Sequence, residues 1–185
     1  PTPTELISLT AFYKLIKNPI SRIEVASAGG YLSYENIADK ATVAGVEVEV
    51  RKNLFVRPLS SAANGMNKLS FGLNGSYIYT NAKMPLATVT TGSQLEGAAP
   101  WIANFDLSHN FTKGNHSFIN TLVFNYVSDK IYTIGTQGYQ DIIEQGMMTL
   151  DFVSQAKLNK YVSLTLKARN LLNPSYKLSR KANES

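Results

Sequence analysis

The stretch that decides the fold is Thr42-Val43-Ala44-Gly45-Val46-Glu47-Val48-Glu49-Val50-Arg51-Lys52. Its even positions from 44 to 50 are apolar, namely Ala44, Val46, Val48 and Val50. Its odd positions from 47 to 51 are charged, namely Glu47, Glu49 and Arg51. Successive side chains of a β-strand point to opposite faces, so this period of two predicts a strand with one apolar and one polar face.

The same period recurs along the chain and predicts an all-β fold. Leu69, Phe71 and Leu73 alternate with polar or small residues, and Trp101 and Phe105 begin a similar row. No helix is strongly indicated. We predict an antiparallel up-and-down meander of about seven long strands, near residues 5–25, 37–52, 68–83, 100–112, 116–133, 143–158 and 161–178.

Two tight turns predict the pairing register of four strands. A two-residue turn at 114–115 places Phe111 opposite Phe118, and Asn104 opposite Asn125. A three-residue turn at 159–161 places Phe152 opposite Ala168. In that second register Asp151 lies opposite Arg169, which predicts a cross-strand ion pair.

The polar rows contain too many charges for the sheet to be buried on both faces. The apolar face alone is therefore covered, either by a second sheet or by lipid. The predicted strands are about 11–18 residues long, against a globular norm of about 5–6, whereas a tilted membrane strand needs about 9–11. Long connections (26–36, 84–99, 134–142) alternate with tight turns, although 53–67 is intermediate. Aromatic residues mark both ends of the apolar face: Trp101, Tyr77 and Tyr79 at one, Phe111 and Phe118 at the other. These features favour a transmembrane β-barrel with its apolar face toward lipid.

Composition excludes several other classes of protein. The chain has 185 residues and no Cys, so a disulfide scaffold, a zinc finger, a thiol nucleophile and an iron–sulfur protein are excluded. The net charge of +5 is scattered, which predicts no nucleic-acid-binding patch. His109 and His116, the two histidines, are not opposed in the predicted register, so we expect no metal site and no cofactor.

Three segments carry a family resemblance. Residues 12–20 (FYKLIKNPI), 35–54 (ENIADKATVAGVEVEVRKNL) and 168–176 (ARNLLNPSY) resemble the late barrel of TonB-dependent outer-membrane receptors. The resemblance implies that residues 1–185 are a partial domain, about strands 15–21 of a barrel of roughly 22 strands. The plug domain, the TonB-contacting segment and the final strand are then expected outside it, and the absence of an initiating Met before Pro1 agrees with a piece of a longer chain.

The resemblance also implies the function of the parent protein. We expect a non-enzymatic receptor of the Gram-negative cell outer membrane that imports a scarce ligand into the periplasm with energy transmitted by TonB. Siderophores, cobalamin, oligosaccharides and peptides are the ligand classes left open. The implied partners are outer-membrane lipid, the plug domain of the same protein, the TonB complex and the ligand.

Candidate site residues follow from the two faces and the long connections. The residues expected to face the lumen are Glu47, Glu49, Arg51, Asp106, Asp151, Lys167 and Arg169. Aromatic rings in outer loops can stack on a sugar or a chelate, and the candidates for this role are Tyr31, Tyr34 and Tyr139.

Two alternatives stay open at this stage. One is a soluble, secreted β-sandwich that serves as a binding or adhesin module. The other is a β-sandwich glycosidase that uses Glu47 and Glu49 as its paired carboxylates. Same-face neighbours on a strand lie about 6.5–7 Å apart at the backbone, from a rise of about 3.3 Å per residue, whereas a retaining glycosidase needs about 5–5.5 Å. Arg51 would also keep both acids ionised.

Overall fold

The computed structural model describes residues 5–25, 29–59, 65–82 and 94–180. These residues form the following strands: β1 (Leu6–Lys17), β2 (Ile20–Glu24), β3 (Leu32–Asn36), β4 (Lys40–Leu59), β5 (Gly65–Ala82), β6 (Trp101–Lys113), β7 (His116–Val127), β8 (Lys130–Thr133), β9 (Ile142–Glu144), β10 (Met147–Lys157), β11 (Ser163–Ala168) and β12 (Leu178–Arg180). Within these ranges there is no helix with the length and apolar character needed to cross a membrane.

Seven strands form one antiparallel sheet, which we call the wall. Its order is β1-β4-β5-β6-β7-β10-β11, so each strand pairs with the next long strand along the chain. The predicted meander is therefore confirmed. β4 has 20 residues and β5 has 18, several times the globular norm of about 5–6.

Both predicted registers are confirmed. Phe111 pairs with Phe118 across the tight turn between β6 and β7. Phe152 pairs with Ala168 across the turn between β10 and β11. Since the side-chain period is two, the register between β6 and β7 places Leu107 opposite Leu122 on the apolar face and Ser108 opposite Thr121 on the polar face.

The predicted connection 53–67 is wrong, because most of it is strand. β4 continues to Leu59 and β5 begins at Gly65, with a register shift between Asn53 and Phe55. Only residues 60–64 separate the two strands in the sequence, so this connection is short, like the turn at 114–115. Residues 60–64, 83 and 84–93 of the predicted boundaries lie outside the described residues.

Four of the predicted long strands are too long, because their outer parts leave the wall. Within the predicted strand 5–25, β1 ends at Lys17 and β2 begins at Ile20. Asn18 has a left-handed φ of 49°, and Pro19 has no N–H to donate to a ladder. Similar breaks separate β7 from β8, β9 from β10, and β11 from β12.

The outer parts pack together into a second unit, which we call the cap. It consists of the β2–β3 hairpin, the three-stranded sheet β12-β9-β8 and the segment 94–99. A parallel bridge between Ile23 and Ile134 joins the hairpin to the end of β8. The buried apolar core lies here, and its members are Ile23, Ile37, Ala38, Ala41, Ala82, Ile131 and Ile134.

The cap sits on the polar face of the wall at its long-connection end. Ala41 and Ala82 are paired and continue the rows that contain Glu47 and Asn74, yet both are buried in the cap core. Thr80 lies in the same row as Ala82, and its Oγ1 accepts a hydrogen bond of 3.1 Å from the Leu95 N–H. The outer segments therefore fold over one face of the sheet.

The apolar face of the wall is left uncovered. Val46, Phe105 and Leu164 are 41%, 36% and 58% exposed. Among the described residues no second sheet packs on this face, so they do not form the β-sandwich considered above. Apolar side chains in such a continuous exposed surface point to a surrounding other than water.

Candidate functional site

The polar face of the wall carries a row of hydrogen-bonding side chains, which we call the amide row. Strand pairing aligns its members across six strands: Ser8, Glu49, Asn74, Asn104, Asn125 and Thr149. Asn104 Nδ2 donates to Asn74 Oδ1 at 3.5 Å, and Asn125 Nδ2 donates to Thr149 Oγ1 at 3.1 Å. The row offers amide donors and acceptors to whatever lies against this face.

Gly72 is the next residue after Asn74 on the polar face of β5 in the direction of the short turns, and it leaves space for a carboxylate. Gly72 pairs with both Arg51 and Asp106. A Cβ atom at Gly72 would clash with Asp106 Oδ1, so the Asp106 carboxylate occupies the space above the glycine. This packing places a carboxylate over the middle of β5, where the sequence pattern alone showed a small residue.

The first three predicted lumen-facing residues share one strand. Glu47, Glu49 and Arg51 lie in the polar row of β4, and Arg51 Nε pairs with Glu49 Oε1 at 2.8 Å. Glu49 therefore has a cationic partner on its own strand. This arrangement gives no support to a glycosidase acid–base pair, in which one carboxyl group must hold its proton.

The predicted ion pair between Asp151 and Arg169 is wrong. The ladder between β10 and β11 ends at Ala168, one residue before Arg169. Asp151 Oδ1 instead accepts a hydrogen bond of 2.8 Å from the backbone N–H of Asn170, which has a left-handed φ of 57°. The turn of the chain after β11 takes Arg169 out of register. Lys167 remains in the ladder, opposite Val153.

Four polar residues interrupt the apolar face near the short-turn end. His109 Nε2 and Asn67 Oδ1 are 2.8 Å apart. Ser154 Oγ donates to Asn120 Oδ1 at 2.7 Å. Since polar groups on an apolar face are costly unless they are hydrogen-bonded, the four are arranged as two bonded pairs.

The three candidate ligand-binding tyrosines lie in the cap. Tyr34 is in β3 opposite Arg22, and Tyr31 precedes β3, where its carbonyl accepts from the Val25 N–H at 2.9 Å. Tyr139 follows β8 and lies under the Arg180 guanidinium, 5.6 Å from its ring centroid. All three are exposed. The Ile23–Ile134 bridge holds their two chain segments together.

A charged cluster that the sequence reasoning missed ties three cap segments together. Arg22 in β2 forms an ion pair of 3.0 Å with Glu96. Its backbone N–H also donates to Glu96 Oε2 at 2.7 Å, and its guanidinium lies 3.9 Å from the centroid of the Tyr132 ring in β8. The hydrogen bond to Glu96 raises the pKa of Arg22 further above its ordinary value. We call these three residues the Arg22 cluster.

A second group joins the β12-β9-β8 sheet. Lys130 pairs with Glu144 at 3.0 Å, and the Tyr176 hydroxyl donates to Glu144 at 3.5 Å. Desolvation, and then the charge of Glu144, raise the pKa of Tyr176 above its ordinary value. Arg180 in β12 pairs with Glu24 in β2, which connects this sheet to the hairpin.

The sequence pattern predicted contacts in the amide row of the wall but not those in the Arg22 cluster of the cap. The register predicted that Asn104 meets Asn125, and this pairing is confirmed. Arg22 and Glu96 are 74 positions apart and belong to no periodic row, so nothing in the pattern pointed to their contact. In the described ranges no group of three His, Cys, Asp or Glu side chains is arranged to hold a metal ion.

Comparison with known proteins gives one result. A family model described as "TonB dependent receptor-like, beta-barrel" matches residues 2–171. No curated protein and no solved structure matches the chain.

Proposed function

Because this chain belongs to the TonB-dependent receptor-like β-barrel family, we propose that its wall is a section of an outer-membrane barrel that imports a scarce ligand. The family is an outer-membrane family of transporters. We propose that this chain forms part of the barrel of such a receptor. The parent protein then takes its ligand into the periplasm with energy that TonB transmits, and the barrel has no enzymatic role.

The observation that carries this proposal is the contrast between the two faces of the wall. Its apolar rows contain exposed side chains in strands across the wall, from Ile7 in β1 to Leu166 in β11. A closed barrel in lipid satisfies every backbone group in its ladders and gives such apolar rows a hydrocarbon environment. The edge strands β1 and β11 would pair with neighbouring strands of the same barrel.

The polar face supports the second part of the proposal, a lumen filled by a plug. The amide row and the carboxylate of Asp106 present donors and acceptors at close spacing over the middle of the sheet. A folded plug has a polar surface of its own and can exchange hydrogen bonds with these groups. We propose Glu47, Glu49, Arg51, Asp106, Asp151, Lys167 and Arg169 as plug- or water-facing residues of this lumen.

We propose that the ligand first binds at the cap. It lies at the end of the long connections, which is the outer end in this class of barrel. Tyr31, Tyr34 and Tyr139 present aromatic surface there that can stack on a sugar or a metal chelate. Siderophore, cobalamin, oligosaccharide and peptide remain the candidate ligand classes.

The orientation of the wall can be tested in the full-length receptor in vesicles. Single cysteines at Val46, Phe105 and Leu164 would carry spin labels on one face, and cysteines at Asn74, Asn104 and Thr149 would carry them on the other. We expect labels at the first three positions to be relaxed by oxygen, which is enriched in lipid. Labels at the second three should respond more to a water-soluble nickel chelate, and equal responses at both sets would refute the barrel.

Import can be tested in cells that express the full-length receptor. Uptake of labelled ferric siderophores, cobalamin, oligosaccharides and peptides is compared in hosts with and without TonB. We expect one class to accumulate only when TonB is present, and to accumulate less after joint replacement of Tyr31, Tyr34 and Tyr139 by alanine. Replacing Tyr161 by alanine, an exposed tyrosine at the opposite end of the wall, is the matched control. TonB-independent uptake of every class would contradict the proposal.

A further inference from the structure

The apolar face of the wall contains a groove of about 440 Å³. Its floor is formed by Gly75 in β5 and Ala103 in β6, which are paired with each other. Val48 and Tyr126 border the floor on the two outer sides. The volume falls within the range of about 300–1,000 Å³ that is usual for small-ligand sites.

An aromatic pair closes the groove toward the cap. Tyr77 and Trp101 face each other one step further along the same strands, with ring centroids 4.5 Å apart. Both rings are partly exposed on the apolar face. Aromatic residues of this kind sit where hydrocarbon meets the polar boundary of a membrane, so the groove begins at that boundary and runs toward the middle of the wall.

No residue in the described part of the chain requires a glycine at position 75. A Cβ atom there would meet no heavy atom within 4 Å, and the φ angle of Gly75 is not left-handed. Gly72 and Gly45 differ, because a Cβ atom would strike Asp106 at the first and Phe12 at the second. A larger residue at 75 would fit the fold and would fill the groove, so the open space above Gly75 is available to something outside the chain.

We propose that this groove holds one acyl chain of a membrane lipid as a retained ligand. The side chains that border it on the apolar face carry no charge, and the groove is continuous with the surface that the proposed function places against lipid. A protein segment would bring backbone N–H and C=O groups that need partners in this environment. An acyl chain brings no such groups, and it matches an apolar channel bounded by aromatic rings.

The test uses the full-length receptor, reconstituted with phosphatidylethanolamine, extracted in mild detergent and weighed by native mass spectrometry. We expect Gly75→Leu to lose the mass of one phospholipid relative to the parent receptor. Ala103→Leu fills the same floor from the next strand and should show the same loss. Ala156→Leu is the same substitution as Ala103→Leu at an apolar-face position in β10 whose partners Phe118 and Leu164 do not line the groove, and it should leave the lipid mass unchanged.

A second measurement locates the lipid. Trp101 is the single tryptophan of this chain, and the difference between the parent and Trp101→Phe isolates its emission. With bromine on the lipid acyl chains, we expect Trp101 to be quenched less in Gly75→Leu than in Ala156→Leu. Equal lipid masses, or a lost lipid without a change in Trp101 quenching, would overturn the groove as a site.

Because the inference rests on the proposed function, a receptor that failed to insert into vesicles would overturn both, whereas an inserted receptor with equal lipid masses would overturn the groove alone.

Discussion

The wall and the cap bury their apolar residues in opposite ways. Ile134 in the cap is 0% exposed and packs among residues from several segments of the same chain. Ile7 in the wall is 83% exposed, although it lies within the regular strand β1. The cap makes its own core, whereas the wall depends on its surroundings to cover one face.

This difference indicates which surroundings, water or lipid, suit each region. Burial of apolar surface away from water drives folding in water, so the cap has the construction of a water-facing unit. In lipid the apolar face of the wall gains nothing from a second layer, because acyl chains are as apolar as its side chains. Under the proposed function, the wall lies in lipid and the cap in water, and the boundary falls where the long strands break.

The largest expected effect is a cavity in the cap. We expect Ile134→Ala in the full-length receptor to lower the local stability of the cap by about 2–5 kcal/mol, because it removes a fully buried side chain. Hydrogen exchange of the amides in 20–25 and 130–136 should speed up accordingly. Ile7→Ala is the matched control in the wall and should leave those amides unchanged. Equal effects of the two variants would remove the distinction between the regions.

A charge on the apolar face comes next. Leu73 lies in the middle of the apolar row of β5, and Leu73→Arg should destabilise the vesicle-inserted receptor by about 2–4 kcal/mol, as for arginine near the bilayer midplane. Asn74→Arg, one residue along on the polar face, should cost far less. Urea unfolding in vesicles measures both. Tolerance of Leu73→Arg within about 0.5 kcal/mol, the usual range for a water-exposed site, would argue against lipid contact.

Removal of the Arg22 cluster should have a smaller effect. Arg22→Met would leave the Glu96 carboxylate with the backbone N–H as its remaining partner, at an expected cost of about 1–3 kcal/mol in cap stability. Arg51→Met breaks the exposed pair with Glu49 on the wall and should cost about 0–1 kcal/mol. Hydrogen exchange of 94–99 reports the first loss. A cap unaffected by Arg22→Met would show that apolar packing alone holds its three segments together.

The smallest expected effect is on the titration of the cap at high pH. The pKa of Tyr176 is raised by desolvation and by Glu144, so the folded state favours the neutral phenol. Its contribution to stability is present below the ordinary value of about 10 and is lost as the pH rises through the raised folded value. The phenolate absorbance difference between the parent and Tyr176→Phe should therefore have its midpoint above 10. Glu144→Gln should lower that midpoint, and no change would contradict the assigned cause.

Sequence reasoning was strongest where neighbours in the structure are neighbours along the meander. Phe111 meets Phe118 because a two-residue turn leaves one register that keeps both on the apolar face. It was weakest where strands break, since Asp151 and Arg169 were expected to pair and the chain instead leaves the ladder after Ala168. The breaks depend on local turns that a period of two does not reveal.

The sequence by itself determined the strand order, the two registers and which side chains share the apolar or the polar face of the wall. It could do so because period-two alternation and tight turns are local properties of the chain. The tertiary structure alone decided that the outer segments fold over the polar face, that Arg22 reaches Glu96 and that Gly75 opens a groove. These features join residues far apart in the chain or depend on empty space between side chains. They arise from packing in three dimensions, and the alternation of residues along one strand does not reveal such packing.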